Sequence, residues 1–164
     1  ILSGLVGSEM CIRDSSCDDK YSMGDLTAAE LGSDDFAAIA SFQEVFDQQT
    51  RDTYTQGQCA ALAIALHDRI GGQLLASWTE AGLPTHVGLE VAPGIVADID
   101  GVYAEADWLE KIWAHDRDEE DAIDEVREVS RDEALTLEDF PTQDISAAGP
   151  IAEQIADLVR RYVR

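Results

Sequence analysis

The stretch GQCAALAIALHDRIGG, Gly57 to Gly72, decides how the rest of the chain is read. Every residue from Ala60 to Leu66 is apolar, and a helix that is apolar all round belongs in the middle of a domain. The Gly71-Gly72 pair predicts its end, with His67 and Arg69 in the last turn, where cations suit the helix dipole. Its start reads two ways. Thr55 and Gln58 match a Thr-x-x-Gln capping box, or the helix begins at Gln58 or Cys59 itself. Cys59 therefore stands at or near a helix N-terminus. It is either a packed core thiol or a nucleophile whose thiolate the N-terminus favours.

Directly after this helix, QLLASWT (Gln73–Thr79) suits a buried strand. A turn at Gly82-Leu83-Pro84 leads into HVGLEVAPGIVADIDG, His86 to Gly101. With Ala92-Pro93-Gly94 as a three-residue hairpin loop, Val91 falls opposite Ile95, Leu89 opposite Ala97 and Val87 opposite Ile99, one wholly apolar face. The other face puts His86 opposite Asp100 and Gly88 opposite Asp98. A slip of one residue would mix the aspartates with aliphatics, so the apolar pairing selects the first register. Opposed and diagonal neighbours lie about 5 and 7–8 Å apart, which brings either aspartate within reach of the imidazole.

The remaining pattern is mostly helical. Ser33 as N-cap and Phe36, Ile39, Phe42, Val45 and Phe46 at helical spacing predict an amphipathic helix over Asp34–Gln49. A second spans Ala104–His115, with Trp108, Leu109, Ile112 and Trp113 on one stripe. Glu125–Ser130 suits a short strand, and Ser130 with Glu133 forms a capping box for a short helix to about Asp139. Phe140–Pro150 reads as a loop. Ile151, Ile155, Leu158, Val159 and Tyr162 mark a last helix, with Arg160, Arg161 and Arg164 at its end. The expected fold is α+β: the apolar Cys59 helix packed on a small antiparallel sheet of Gln73–Thr79, His86–Val91 and Ile95–Ile99, flanked by amphipathic helices.

Charge narrows the partners. Thirty-four acidic residues against eleven basic ones give a net charge of −23 over 164 residues. Neutralising nucleic-acid phosphates or meeting an anionic membrane needs a basic patch, so neither is an expected partner. The acid excess fits a solvated surface suited to high salt, a basic protein partner, or mimicry of nucleic acid. The dense run Asp116–Asp124 fits a solvated face. Cys11, Cys17 and Cys59 are an odd number with no CxxC pair, which points to a reducing, cytoplasmic compartment. No apolar run approaches the ~20 residues needed to span a bilayer. Ile1–Ser16 has no period, and LVGSEMCIRDS resembles a translated sequencing adapter, so residues 1–32 are expected to be a disordered or artefactual lead-in and 33–164 a single domain. An incomplete N-terminus would leave secretion open.

Thiol catalysis needs a reachable thiolate, an imidazole to carry the proton and a group that orients the imidazole. His67 lies eight residues along the helix from Cys59, about 12 Å away along its axis. His115 ends another helix, where it suits the dipole. By elimination Cys59 pairs with His86, and Asp98 or Asp100 orients it. One Cys, one His and one Asp lack the spacing of a zinc motif, and no metal or other cofactor is expected.

A helix beginning Gly-x-Cys, a strand opening with His and a carboxylate on the next strand resemble the papain-like superfamily in its compact form. That group includes NlpC-type and transglutaminase-like cysteine hydrolases. GQCAALAIALHDRIGGQLL followed by HVGLEV and IVADIDG is similar to small bacterial and phage proteins with a Cys…His…Asp-x-x-Gly pattern. The resemblance covers Gly57 to Gly101. It implies a papain-like domain in which Cys59 is the nucleophile, His86 the general base and acid, and Asp98, three residues before Gly101, the orienter, with Asp100 the alternative. An oxyanion hole would use the Cys59 backbone N–H, helped by Gln56 or Gln58. The function expected is a thiol-dependent hydrolase or acyl transferase acting on an amide, isopeptide or ester of a small-molecule or peptide substrate. The alternative is a non-catalytic acidic binding protein on the same scaffold.

Overall fold

The structure, a computed structural model, describes residues 38–115, 123–137 and 140–163. The expected lead-in at 1–32, the Ser33 cap and most of the acidic run 116–124 lie outside the described residues. The fold is α+β. In chain order it runs β1 (Ala38–Ser41), α1 (Gln48–Thr55), α2 (Cys59–Ile70), β2 (Gln73–Thr79), β3 (Pro84–Ala92), β4 (Ile95–Ala97), β5 (Gly101–Ala104), α3 (Glu105–His115), β6 (Ile123–Glu128), α4 (Arg131–Leu135) and α5 (Ile145–Tyr162). The six strands form one antiparallel sheet in the order β1-β5-β4-β3-β2-β6.

The apolar run does what its composition dictates. Cys59 through Leu66 are all buried, so α2 is enclosed on every side by α5, β3 and its other neighbours. Removing one such side chain, Leu66→Ala for instance, costs roughly 2–5 kcal/mol in comparable cores. Val87 and Leu89 of β3 join this main core, whereas Leu75, Val96, Tyr103, Trp108 and Ile112 form a second one between the other sheet face and α3. The sheet is thus covered on both faces. Gly88 is what lets α3 approach: a Cβ there would sit 2.7 Å from Cζ2 of Trp108 and 2.9 Å from Cγ1 of Val96.

Four expectations need correction. The helix over Asp34–Gln49 does not exist in its described part. Residues 38–41 instead pair with β5, Ala40 facing Val102 and Ser41 facing Gly101, and the backbone N–H of Phe42 donates to the Asp100 carbonyl at 2.7 Å. The helical spacing survives for one turn only. Phe46 N–H donates to the Phe42 carbonyl at 3.2 Å and the two rings meet edge to face at 6.4 Å, while Val45 is left 46% exposed. Tertiary strand pairing overrode a pattern that both structures could satisfy. Asp47, inside the expected helix, caps α1 by accepting from Thr50 N–H at 2.7 Å.

Second, the Thr55-Gln58 capping box does not form: Thr55 ends α1 and its hydroxyl donates to the Arg51 carbonyl at 2.7 Å, while α2 starts at Cys59. Third, the hairpin turns on Pro93-Gly94 alone, with Gly94 at φ 73°. Ala92 rather than Val91 faces Ile95, and the intended pair Leu89–Ala97 is recovered because Val91 bulges. Strand β4 then stops at Ala97, so the pairs His86–Asp100, Gly88–Asp98 and Val87–Ile99 are not made. Fourth, α5 begins at Ile145 inside the expected loop. Asp144 caps it at Ala147 N–H (2.9 Å), and the fully buried Ala148 and Ala152 pack it tightly on α2, which compensates the N–H that Pro150 lacks. The Ser130–Glu133 capping box forms as expected, although α4 is only five residues long.

Gly88→Ala is expected to destabilise the fold by about 1–3 kcal/mol, because Trp108 and Val96 must give way together. Urea unfolding at neutral pH measures it, with an unchanged slope and a lower midpoint.

Candidate functional site

Three of the residues singled out in the sequence meet at one cleft of about 440 Å³, lined by Cys59, His86, Gln56, Lys111 and Phe140 among others. Cys59 is the first residue of α2 and is 3% exposed; His86 is 4% exposed. Strand β3 delivers His86 through an irregularity. Ser77 pairs with His86 but Trp78 pairs with Pro84, so Thr85 is an extra residue, its hydroxyl 2.7 Å from that of Ser77. In a regular strand Pro84 and His86 would face one way and Thr85 the other. With the bulge, all three line the cleft.

Asp98 stands behind the histidine. Its Oδ1 accepts from the backbone N–H of Asp100 (2.8 Å) and Gly101 (3.3 Å), which closes the turn between β4 and β5. Its Oδ2 accepts from Trp108 Nε1 at 2.9 Å and from Lys111 Nζ at 2.6 Å. The same oxygen lies 3.4 Å from His86 Nε2, which makes no hydrogen bond and is the one buried side-chain polar atom without such a partner among the described residues. Asp100 faces elsewhere: Oδ1 pairs with Arg51 Nε at 3.0 Å and Oδ2 with Lys111 Nζ at 3.0 Å. The structure therefore brings Asp98, and not Asp100, to His86.

Electrostatics sharpen the arrangement. Burial is the largest single influence on His86 and disfavours its charged form. The negative charge of Cys59, the contact with Asp98 and the interaction with the Cys59 sulfur outweigh it and raise the imidazole pKa to about 9. Burial also works against ionised Asp98, but Lys111 and His86 hold its carboxyl well below the usual carboxylate range.

The oxyanion expectations divide. Gln56 lines the cleft. Gln58 does not serve as expected: its Nε2 donates to the Thr142 carbonyl at 2.9 Å and its Oε1 accepts from Asp144 N–H at 2.8 Å, so the amide splints the loop at 140–144. Gln143 completes that splint. It donates to the Gly57 carbonyl at 2.8 Å and accepts from Ala61 N–H at 2.9 Å, which covers one N–H of the first turn of α2. Helix geometry gives the N–H groups of Cys59 and Ala60 no carbonyl partner within the helix. Gly57 packs under Pro141, 3.2 Å from Cγ to where a Cβ would be, and the loop then walls the cleft with Phe140 and Pro141.

Lys111, Trp108, Arg51 and Gln143 were not legible as site residues. Lys111 carried the only signal, as one of two lysines in the chain and the one set within an apolar helix stripe. His67 points to its own helix end, with Nδ1 3.1 Å from the Gly72 carbonyl, and the His115 side chain lies outside the described residues. Among the described residues no group of three or more His, Cys, Asp or Glu side chains is placed to hold a metal ion, and no helix is long and apolar enough to cross a membrane. Compared with known proteins, the chain matches no family model, no curated protein and no solved structure.

Protonated His86 is favoured in the folded protein, so its contribution to stability is complete below about pH 6.5 and is lost as pH rises towards about 9. Asp98 works in the opposite sense: its contribution is present above about pH 3.9 and drains as acid is added below it. The urea midpoint is expected to fall on both sides of a plateau between these limits. His86→Gln should flatten the alkaline decline and shrink the acid limb without abolishing it, since Lys111 still holds the Asp98 carboxylate.

Proposed function

We propose that the protein is a thiol-dependent hydrolase or acyl transferase of papain-like type, acting on an amide, isopeptide or ester. The observation that carries this reading is the convergence of Cys59, at a helix N-terminus, with His86 in the lining of one cleft, with the buried Asp98 behind the imidazole. Such a cleft suits a small molecule or an extended peptide better than a flat partner surface.

The chemistry follows from the roles. The Cys59 thiolate attacks the substrate carbonyl carbon. The developing oxyanion takes hydrogen bonds from the Cys59 backbone N–H and from the Gln56 side chain. As the tetrahedral intermediate collapses, protonated His86 gives its proton to the leaving amine or alkoxide, and the acyl group stays on sulfur. Neutral His86 then takes a proton from water, or from a second nucleophile, which attacks the thioester and frees Cys59. Asp98, 3.4 Å from the ring, stabilises the imidazolium that is present before the first step and formed again in the second. An imidazole whose pKa is raised to about 9 carries, across the physiological range, the proton that the leaving group needs.

With Cys11 and Cys17 replaced by serine, Cys59 should react with iodoacetamide at pH 6 at least tenfold faster than glutathione does. His86→Ala should bring the rate down to that of an ordinary thiol. A wild-type rate no higher than that of glutathione would sink the proposal.

A further inference from the structure

Lys111 is the one cleft residue whose charge lies between the two turn aspartates. Its side chain is 8% exposed, Nζ bridges Asp98 Oδ2 (2.6 Å) and Asp100 Oδ2 (3.0 Å), and it lies 4.7 Å from the Tyr103 ring centroid. It also lines the same cleft as Cys59 and His86. A buried lysine is costly unless its charge is matched, and here two carboxylates match it. Those carboxylates alone would crowd two negative charges behind the imidazole.

Resting on the thiol reading above, we propose that Lys111 is a positioning residue for the Cys59–His86 pair: its ammonium clamps the Asp98 and Asp100 carboxylates into one fixed cluster and limits the negative charge that His86 faces. The geometry supports this on both counts. Asp98 Oδ2 is already held by Lys111 and Trp108 at hydrogen-bonding distance, which leaves His86 Nε2 at 3.4 Å, near the carboxylate but unbonded. An imidazolium gripped directly by a free carboxylate would give up its proton less readily.

The charged and titratable groups around this cluster come from every adjoining element. They are His86 on β3, Cys59 on α2, Asp98 and Asp100 on the turn, Tyr103 on β5 and Arg51 on α1, the last acting through Asp100. Helix α3 itself adds Asp107 and Glu110 one turn and one residue before Lys111. Burial, then Asp98 and Asp100, raise the Tyr103 hydroxyl pKa, partly offset by Arg51, so Tyr103 stays neutral; Lys111 is the cation on Asp98 and shares Asp100 with Arg51.

The test is the pH profile of Cys59 alkylation by iodoacetamide, in full-length protein with Cys11 and Cys17 replaced by serine. It needs no substrate. Loss of the Lys111 charge destabilises the thiolate and stabilises the imidazolium, so both limbs should move the same way. Lys111→Gln, which keeps a hydrogen-bond donor, is expected to shift both to higher pH by about 1 unit. A merely structural lysine would lower thermal stability and leave the limbs in place; that result, in folded Lys111→Gln, overturns the proposal. Lys111→Arg keeps the charge and should hold both limbs where the wild type has them. A displaced profile in the arginine variant also overturns it, whether or not the glutamine variant folds. A wild-type Cys59 that behaves as an ordinary thiol would instead remove the catalytic reading itself.

Discussion

An ionised carboxylate that is 5% exposed has to be matched by donors, or it costs the fold several kcal/mol, and Asp98 is in that position. Its needs shape much of the molecule. Oδ1 takes two backbone N–H groups from the residues that follow, which forces the chain out of β4 after Ala97 and into a turn. Oδ2 takes Trp108 and Lys111, which draws α3 down onto the sheet. Trp108 can reach it because Gly88 has no side chain to obstruct the ring. Gly101, released from the turn, opens β5 under the Ala40 carbonyl, where β1 adds its edge pairing.

The candidate site is therefore continuous with the second core. His86 leans on Trp108, with ring centroids 5.9 Å apart, so the same indole that donates to the carboxylate also packs the imidazole. The thiol arrives from the opposite direction, on a helix buried for its first eight residues. What holds its N-terminus at the cleft is a set of amide contacts: Gln58 and Gln143 stitch the loop at 140–144 to the corner between α1 and α2. Rigid support from both sides suits a site in which thiol and imidazole must keep one geometry.

Elements governed by local composition were readable. The α2 run, β2 over Gln73–Thr79 and the Ser130 capping box follow from short-range patterns, and each appears where the residues place it. The hairpin put His86 near Asp98 and Asp100, although by pairs that do not form, and the preference for Asp98 came from the resemblance carried by Asp98-x-x-Gly101. The expected rungs beyond Ala97 are absent, and Asp98 meets His86 from a turn instead of a strand. Phe36 to Phe46 misled because aromatic residues three and four apart fit one turn of helix as well as a full one, and pairing with Gly101–Ala104 decided the matter.

By itself the sequence determined which segments had to be buried, and that a cysteine, a histidine and an aspartate lay near them. Hydrophobic periodicity and turn chemistry are local, so they are written in neighbouring residues. Only the tertiary structure decided which aspartate faces His86, that Lys111 stands between the two, and that Gln58 belongs to a loop more than eighty residues away. Those outcomes depend on a bulge at Thr85, a shortened β4 and the docking of α3. Each is settled by satisfying buried polar groups across distant parts of the chain, for which no local pattern exists.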